Sequence, residues 1–403
     1  MGGVLSTSAV GRQLHGQVVM DYIVRHGPIS RAQVAKLSGL SKQTVSELVS
    51  MLEDRGWVRE VGSVQGKLGR TAVTYELNPE AGYVGVADMG GTRLKLGIAD
   101  VSGVLIEETR VPLKEGGARA AEQLSLGLGE LLEKRGIERG KLLQVVVGVP
   151  GVVDRKTGTV HHSPNLPALP GDLEATLRGV LGVPVLLENE VNLAAVGELS
   201  QGCGQNHESF IFVAVGTGIG MGVILDGRLW RGARGAAGEI GYMPVVSEDL
   251  GPEIKQHGAL ETVASGQAIL RLYSETGGSP VEGVPEIFER AASGDAGAQK
   301  VIDKVAQGCA TAIAATATVI DPELCILGGG IGGRPELLER VRYWLAQLMD
   351  CPVPIEACLL GKRAGLLGAL AVALDEVNGR HFSPQLPKGV QEAEVYVNRA
   401  SAS

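Results

Sequence analysis

Residues 83–99 read YVGVADMGGTRLKLGIA, and the fold class turns on them. Tyr83–Ala87 has the small and β-branched composition of a buried strand, and Leu94–Ala99 returns as a second strand. Between them lies Asp88-Met89-Gly90-Gly91-Thr92. Two glycines let backbone N–H groups approach an anion closely, and Thr92 can donate its hydroxyl. Asp88 is placed either to hold a metal-bound water or to cap the turn. The pattern recurs twice. Strand Phe210–Val215 runs into Gly216-Thr217-Gly218-Ile219-Gly220-Met221-Gly222, then Val223–Leu225 and a tight turn at Asp226-Gly227. Strand Leu324–Leu327 runs into Gly328-Gly329-Gly330-Ile331-Gly332-Gly333. Any one of these turns suits an ordinary connection. Three at strand ends point to a ligand cleft with phosphate-sized approaches. Amphipathic helices alternate with such strands from Tyr83 onward, which is the α/β signature.

Upstream of a Pro/Gly break at Leu77–Gly82 the pattern changes. Val18, Val19, Tyr22 and Ile23 predict one helical face, stopped by Gly27-Pro28. Ser30 and Gln33 form a capping-box pattern for a short helix Arg31–Ser38 that would bury Val34 and Leu37. Gly39 makes the turn and Ser41 caps a third helix. There Val45, Leu48, Val49 and Leu52 form one apolar stripe. Ser41, Lys42, Gln43, Thr44 and Ser46 occupy the other face, where a recognition helix meets base edges and phosphates. The helix ends at Asp54-Arg55-Gly56. Trp57–Val61, a turn holding Gly62, Gly66 and Gly69, and Thr71–Leu77 read as a hairpin wing, with Lys67 and Arg70 at its tip. A small helical protein-interaction unit is the blander alternative; the basic Gly-rich wing favours DNA. The segment is similar to the winged helix-turn-helix domains of bacterial regulators.

Charge supports the division. The whole chain of 403 residues carries −8, which excludes a uniformly basic nucleic-acid coat. Residues 12–70 hold nine Lys/Arg against five Asp/Glu, a surplus of four, which leaves −12 for the rest. Five cysteines (Cys203, Cys309, Cys325, Cys351, Cys358) make no CxxC pattern, as expected of free thiols in a reducing cytoplasm. No segment reads as a signal peptide or a membrane span. The 59 glycines are about twice the usual ~7% share, and they lack a collagen period.

Six motifs carry a family resemblance, in order: Asp88–Thr92, Gly148-Val149-Pro150-Gly151, Glu188-Asn189-Glu190-Val191-Asn192, Gly216–Gly222, Gly238-Glu239-Ile240-Gly241 and Leu327–Gly330. The chain resembles the ROK family of bacterial sugar-responsive repressors and sugar kinases, and xylose-repressor-type members most. The resemblance implies an α/β fold: an N-terminal winged helix-turn-helix, 1–80, followed by a two-lobed actin-like, hexokinase-like ROK domain, 83–378. Lobe one would span about 83–195 plus 365–378, lobe two about 196–364, and 379–403 would be a tail. The helix Gly365–Leu374 should return to pack on the first lobe.

The same resemblance implies site residues. The family kinases place a general-base Asp where this chain has Glu190, one methylene longer. Such a displacement can cost ~100-fold in rate. Glu190 can still accept a hydrogen bond from a sugar hydroxyl, and Asn189 should bind a second. In the kinases' Glu-x-Gly-His motif this chain keeps Glu239 but has Tyr242 for the His. Their zinc loop, Cys-x-Cys-Gly-x-x-Gly-Cys-x-Glu, aligns with Ile254-Lys255-Gln256-His257-Gly258-Ala259-Leu260-Glu261, which has no cysteine. His257 alone cannot assemble a four-ligand zinc site, so no metal is expected. Glu261 matches a second sugar-binding Glu.

The expected sugar site is therefore Asn189, Glu190, Glu239, Tyr242 and Glu261, with Asn165 and the Pro150-Gly151 backbone behind them. Without the resemblance, Glu239 and Glu261 would be read as helix caps or as partners of Arg231 or Arg234. Asp88, Gly90, Gly91, Thr92, Gly216, Thr217, Gly218 and Gly329 are remnants of a nucleotide motif; ATP binding is possible, and no cofactor is predicted. His161-His162 sit on opposite strand faces and do not chelate easily. These readings favour a cytoplasmic, sugar-responsive repressor acting on operator DNA as a homodimer or dimer of dimers. The alternative is an ATP-dependent sugar kinase with an appended DNA-binding domain.

Overall fold

Caps and one apolar stripe build the N-terminal unit. Its elements are α1 (Thr7–His26), β1 (Ile29–Ser30), α2 (Arg31–Ser38), α3 (Lys42–Asp54), β2 (Val58–Gln65) and β3 (Thr71–Leu77). The structure, a computed structural model, describes residues 7–65, 71–114, 119–161, 166, 169, 171–244 and 252–381. Ser30 accepts from the Gln33 N–H while the Gln33 side chain accepts from the Ser30 N–H, closing the capping box that starts α2. Gly39 ends α2 in the left-handed region at φ 72°. In α3, Val45, Leu48, Val49 and Leu52 are all buried. The strands pair antiparallel in the order β1-β3-β2, completing a winged helix.

Three local expectations need correction. The buried face of α1 is Val19, Met20 and Ile23; Val18 is exposed, and Tyr22 sits at the edge with its hydroxyl donating to the Leu37 carbonyl. The short α2 buries Val34 and Ala35, while Leu37 is half exposed. It lies in the angle between α1 and α3, so it presents adjacent residues to both rather than one i, i+3 stripe. Strand β2 continues to Gln65, so Gly62 belongs to a bulge after Glu60 and not to the turn. The wing-tip residues Lys67 and Arg70 lie outside the described residues.

Asn78 fixes the exit from this unit. Its side-chain amide donates to the Gly56 carbonyl and its Oδ1 accepts from the Glu80 N–H, starting a 3₁₀ turn at Pro79–Ala81. The next lobe holds β4 (Tyr83–Met89), β5 (Arg93–Asp100), β6 (Leu105–Pro112), α4 (Ala120–Lys134), β7 (Leu142–Val149), β8 (Val152–Asp154), β9 (Thr159–His161), α5 (Leu173–Leu181), β10 (Val185–Asn189) and α6 (Glu190–Gln201). Its sheet order is β10-β7-β4-β5-β6, with β10, β7 and β4 parallel. Every residue of β4 is buried because both sheet faces are covered. Met89, Leu94 and Val147 pack under α4, while Val84, Val86 and Val146 pack under the last helix of the chain.

A second lobe repeats the plan with β11 (Phe210–Val215), β12 (Ile219–Leu225), β13 (Arg228–Leu229), α7 (Pro252–His257), α8 (Glu261–Ala264), α9 (Gly266–Glu275), α10 (Val284–Ala292), α11 (Ala296–Ile320), β14 (Leu324–Gly328), α12 (Gly329–Gly332), α13 (Pro335–Leu348) and β15 (Ile355–Ala357). The order is β13-β12-β11-β14-β15. Strand β12 begins at Ile219, so Gly220 and Gly222 lie inside it, opposite Ala214 and Phe212. Gly222 is there for packing: a Cβ would come within 2.6 Å of Ala195 on α6. The chain then returns as α14 (Ala364–His381), which packs on β4, β7 and α6 of the first lobe. The whole is a winged helix followed by two α/β lobes in the actin-like arrangement. No helix among the described residues is long and apolar enough to cross a membrane.

Candidate functional site

The carboxyl ends of β4, β7 and β10 lie side by side, which is where open α/β sheets bind ligands. They face the β11–β12 turn and the end of β14 across a cavity of about 550 Å³. One end of this cleft is acidic and the other is glycine-rich and basic.

The acidic end gathers Asn189, Glu190, Glu239, Tyr242 and Glu261, with Pro150, Gly151 and His257 beside them. Asn189 caps α6: its Oδ1 accepts from the N–H groups of Val191 (2.9 Å) and Asn192 (3.0 Å). Its Nδ2 donates to the Gly151 carbonyl at 3.1 Å. Most of its polar capacity is thus committed to the protein, which leaves little for the second sugar hydroxyl expected of it. Glu190 opens α6, and its Oε2 is sealed from solvent with no hydrogen-bond partner among the described residues. Burial, followed by the charges of Asp88, Glu239 and Glu261, pushes its carboxyl up to about 8. A buried carboxyl with an unmatched oxygen calls for a hydrogen-bonding ligand.

Glu261 opens α8, and its Oε2 accepts from the Ile219 N–H at 2.9 Å. Burial first, then the charge of Glu239, raises its carboxyl to about 7. It therefore anchors the start of β12 while lining the cleft. Arg231 pairs with Glu188 at 2.6 Å, not with Glu261. Tyr242 ends the 3₁₀ turn Ile240–Tyr242 that follows Glu239, and the residue is 44% exposed. Asn165 lies outside the described residues, as does His162. His161 shares a hydrogen bond with Thr159 at 2.9 Å.

At the other end lie Gly90, Gly91, Gly216, Thr217, Gly218 and Gly329, while Asp88 lines the cleft near enough to Glu190 for its charge to act there. Gly329 has φ 86°, and a Cβ would meet the Val215 carbonyl at 2.4 Å, so only glycine fits. Thr92 stands outside the cleft lining; it is exposed, and its carbonyl accepts from the Leu113 N–H. Sequence reading missed Lys95, Arg334 and Lys362, which also line this end. Lys95 was findable, because a two-stranded register places it opposite Asp88. Arg334 and Lys362 come from distant loops with no local signal.

His257 has no cysteine beside it in sequence. Among the described residues no group of three His, Cys, Asp or Glu side chains is arranged to hold a metal ion.

On the winged helix, Ser41 caps α3 by accepting from the Thr44 N–H at 3.1 Å, and its hydroxyl meets that of Thr44 at 2.8 Å. Arg31 donates to Ser46 at 3.1 Å. Gln43 donates to Glu47 at 3.1 Å but stays exposed, as does Lys42. The exposed residues at the start of α3 are therefore Lys42 and Gln43, with Ser41 and Thr44 forming the cap and Ser46 held by Arg31.

The model described as ROK family matches residues 83–376, and the one described as MarR family matches 18–67. The chain is 30% identical to the xylose repressor of Caldicellulosiruptor bescii, covering 91% of this chain and 96% of that one. It is 32% identical to the glucokinase of Thermotoga maritima, covering 75% of this chain and 100% of that one. A crystal structure of a ROK family transcriptional regulator, a homologue of the E. coli MLC protein, superposes with a TM-score of 0.74. It covers 91% of this chain and 97% of its own at 23% identity, and so speaks for the fold.

Proposed function

This chain belongs to the ROK family, and from that premise we propose that it is a sugar-responsive repressor of carbohydrate-utilisation genes. A monosaccharide or a derivative binds between the lobes and sets the affinity of the winged helix for operator DNA. One observation carries the reading: a MarR-type winged helix shares the chain with a cleft in which an orphaned buried carboxyl, Glu190, sits among Glu239 and Glu261. Several convergent polar groups suit a polyol, since a buried hydroxyl left unpaired costs a few kcal/mol. Lys42 and Gln43 on α3 are the DNA-facing residues, and the sequence adds Lys67 and Arg70, which lie outside the described residues.

The protein works in the cytoplasm as a homodimer or dimer of dimers. Half-sites lie about 34–36 Å or multiples apart, so a rotation of the lobes breaks the register of two winged helices. A ligand with a 100-fold preference for one state shifts the balance by about 2.7 kcal/mol.

The test uses the full chain. Thermal shift against monosaccharides and phosphosugars, xylose first given the relative's name, finds the ligand. Gel shift on DNA selected from a random pool then reads its effect. Glu239→Ala should weaken sugar binding about 10- to 100-fold, the value of a hydrogen bond to a charged group. Binding that persists unchanged in Glu239→Ala rejects the site.

The likeness to a glucokinase over three quarters of the chain favours a second reading, a sugar kinase carrying a DNA-binding module. Against it, Glu190 stands where the family kinases place an Asp and is one methylene longer, a displacement that can cost ~100-fold in rate. A coupled assay with ATP, Mg²⁺ and the same sugars decides. Turnover near the median enzyme rate of ~10 s⁻¹ overturns the regulator-only reading.

A further inference from the structure

We infer that Lys95 supplies the cation that the Asp88 carboxylate would otherwise recruit, so that the cleft is closed at this point to a divalent metal. Sequence left Asp88 two roles, metal-bound water or turn cap. The turn closes by its own backbone bond, Gly90 N–H to the Arg93 carbonyl at 2.9 Å. The carboxylate is engaged elsewhere.

Asp88 and Lys95 are directly opposed in the antiparallel β4–β5 register, so their side chains share one face. Lys95 Nζ donates to Asp88 Oδ2 at 2.5 Å and to the Lys362 carbonyl at 2.7 Å. The second bond reaches the 3₁₀ turn Gly361–Arg363 that leads into α14. Two acceptors from separate elements therefore hold the ammonium. On its other side the carboxylate meets the first turn of α14, where a Cβ on Gly365 would lie 3.1 Å from Oδ2. The side chains of Asp88 and Lys95 are 11% and 25% exposed, so solvent screens the pair little.

A divalent ion ligated by Asp88 would sit about 2.0–2.6 Å from its oxygen. There it would face the fixed ammonium at close range, with Lys362 and Arg334 adding positive charge to a cleft that Glu190, Glu239 and Glu261 also line. The inference rests on this cleft being the regulator's ligand site. It deepens that reading by naming the residue that lets the cleft hold a ligand without a metal at Asp88.

Mn²⁺ is the probe, with the full chain melted in its absence and presence and free Mn²⁺ followed by electron paramagnetic resonance. Wild type and Asp88→Asn should respond alike. Lys95→Met should melt lower, recover with Mn²⁺, and bind it about tenfold or more tightly than wild type, a ~1.4 kcal/mol step. That gain should vanish in Lys95→Met/Asp88→Asn. Asp88-dependent Mn²⁺ binding in wild type overturns the inference, as does a Lys95→Met chain indifferent to Mn²⁺. If Lys95→Met does not fold, Lys95→Gln takes its place in the same comparison, and a Lys95→Gln chain indifferent to Mn²⁺ overturns the inference. Neither sugar nor DNA enters this measurement, so its failure is separate from failure of the regulator reading.

Discussion

Glu190 holds its proton past neutrality because burial, and then the charges of Asp88, Glu239 and Glu261, oppose ionisation. The sign of the consequence follows from linkage. The folded chain keeps a proton that the unfolded chain releases near 4.5, so stability is greatest at low pH within this window and falls as pH rises from 4.5 toward 8. Glu261 adds to the slope between 4.5 and about 7. Thermal melts of the ligand-free chain from pH 5 to pH 8 should therefore decline, and Glu190→Gln should flatten the decline. An identical slope in that variant would mean Glu190 is not the group responsible. Sequence located this residue through the Glu188–Asn192 motif. It did not tell how Asn189 divides its capacity, because the Gly151 carbonyl that takes its Nδ2 lies 38 residues away in the chain.

Element by element, legibility followed length and amphipathicity. Helix α3 was readable in full because thirteen residues carry one apolar stripe and a cap. Ser41→Ala should cost about 1 kcal/mol of stability through the lost cap, measured by chemical denaturation. Lys42→Ala should leave stability unchanged yet weaken DNA binding and lower the salt dependence by about one phosphate contact. A Lys42→Ala chain with wild-type salt dependence would remove Lys42 from the DNA face. In the eight-residue α2 the bounds, the cap and Val34 were legible, and only Leu37 was misjudged, because two turns contain too few periods to fix a phase against two neighbours. Strand β12 was entered late because glycines read as turn until α6 is known to press on them. Lys95 was missed for a different reason: the two strands were read, but their register, which pairs it with Asp88, was not worked through.

At the scale of the molecule, one helix touches both functional ends. Helix α14 begins at the cleft, where Ala364 and Gly365 line the cavity beside Asp88. It ends at His381, whose ring lies 4.9 Å from that of Trp57 between α3 and β2. Its eighteen residues span about 27 Å at 1.5 Å per residue, and Trp57 also packs against the cluster of α14 with β4. Lobe closure that tilts α14 must shift or break the Trp57 contact. Shared packing is not yet coupling; coupling is a free energy that must be equal in both directions. His381→Ala removes the ring without touching the cleft or α3. In this variant sugar affinity and DNA affinity, each measured alone, should match wild type. The factor by which sugar changes DNA affinity, and the equal factor by which DNA changes sugar affinity, should both fall toward one. Retention of the full factor in His381→Ala would show that the signal leaves the cleft by another route.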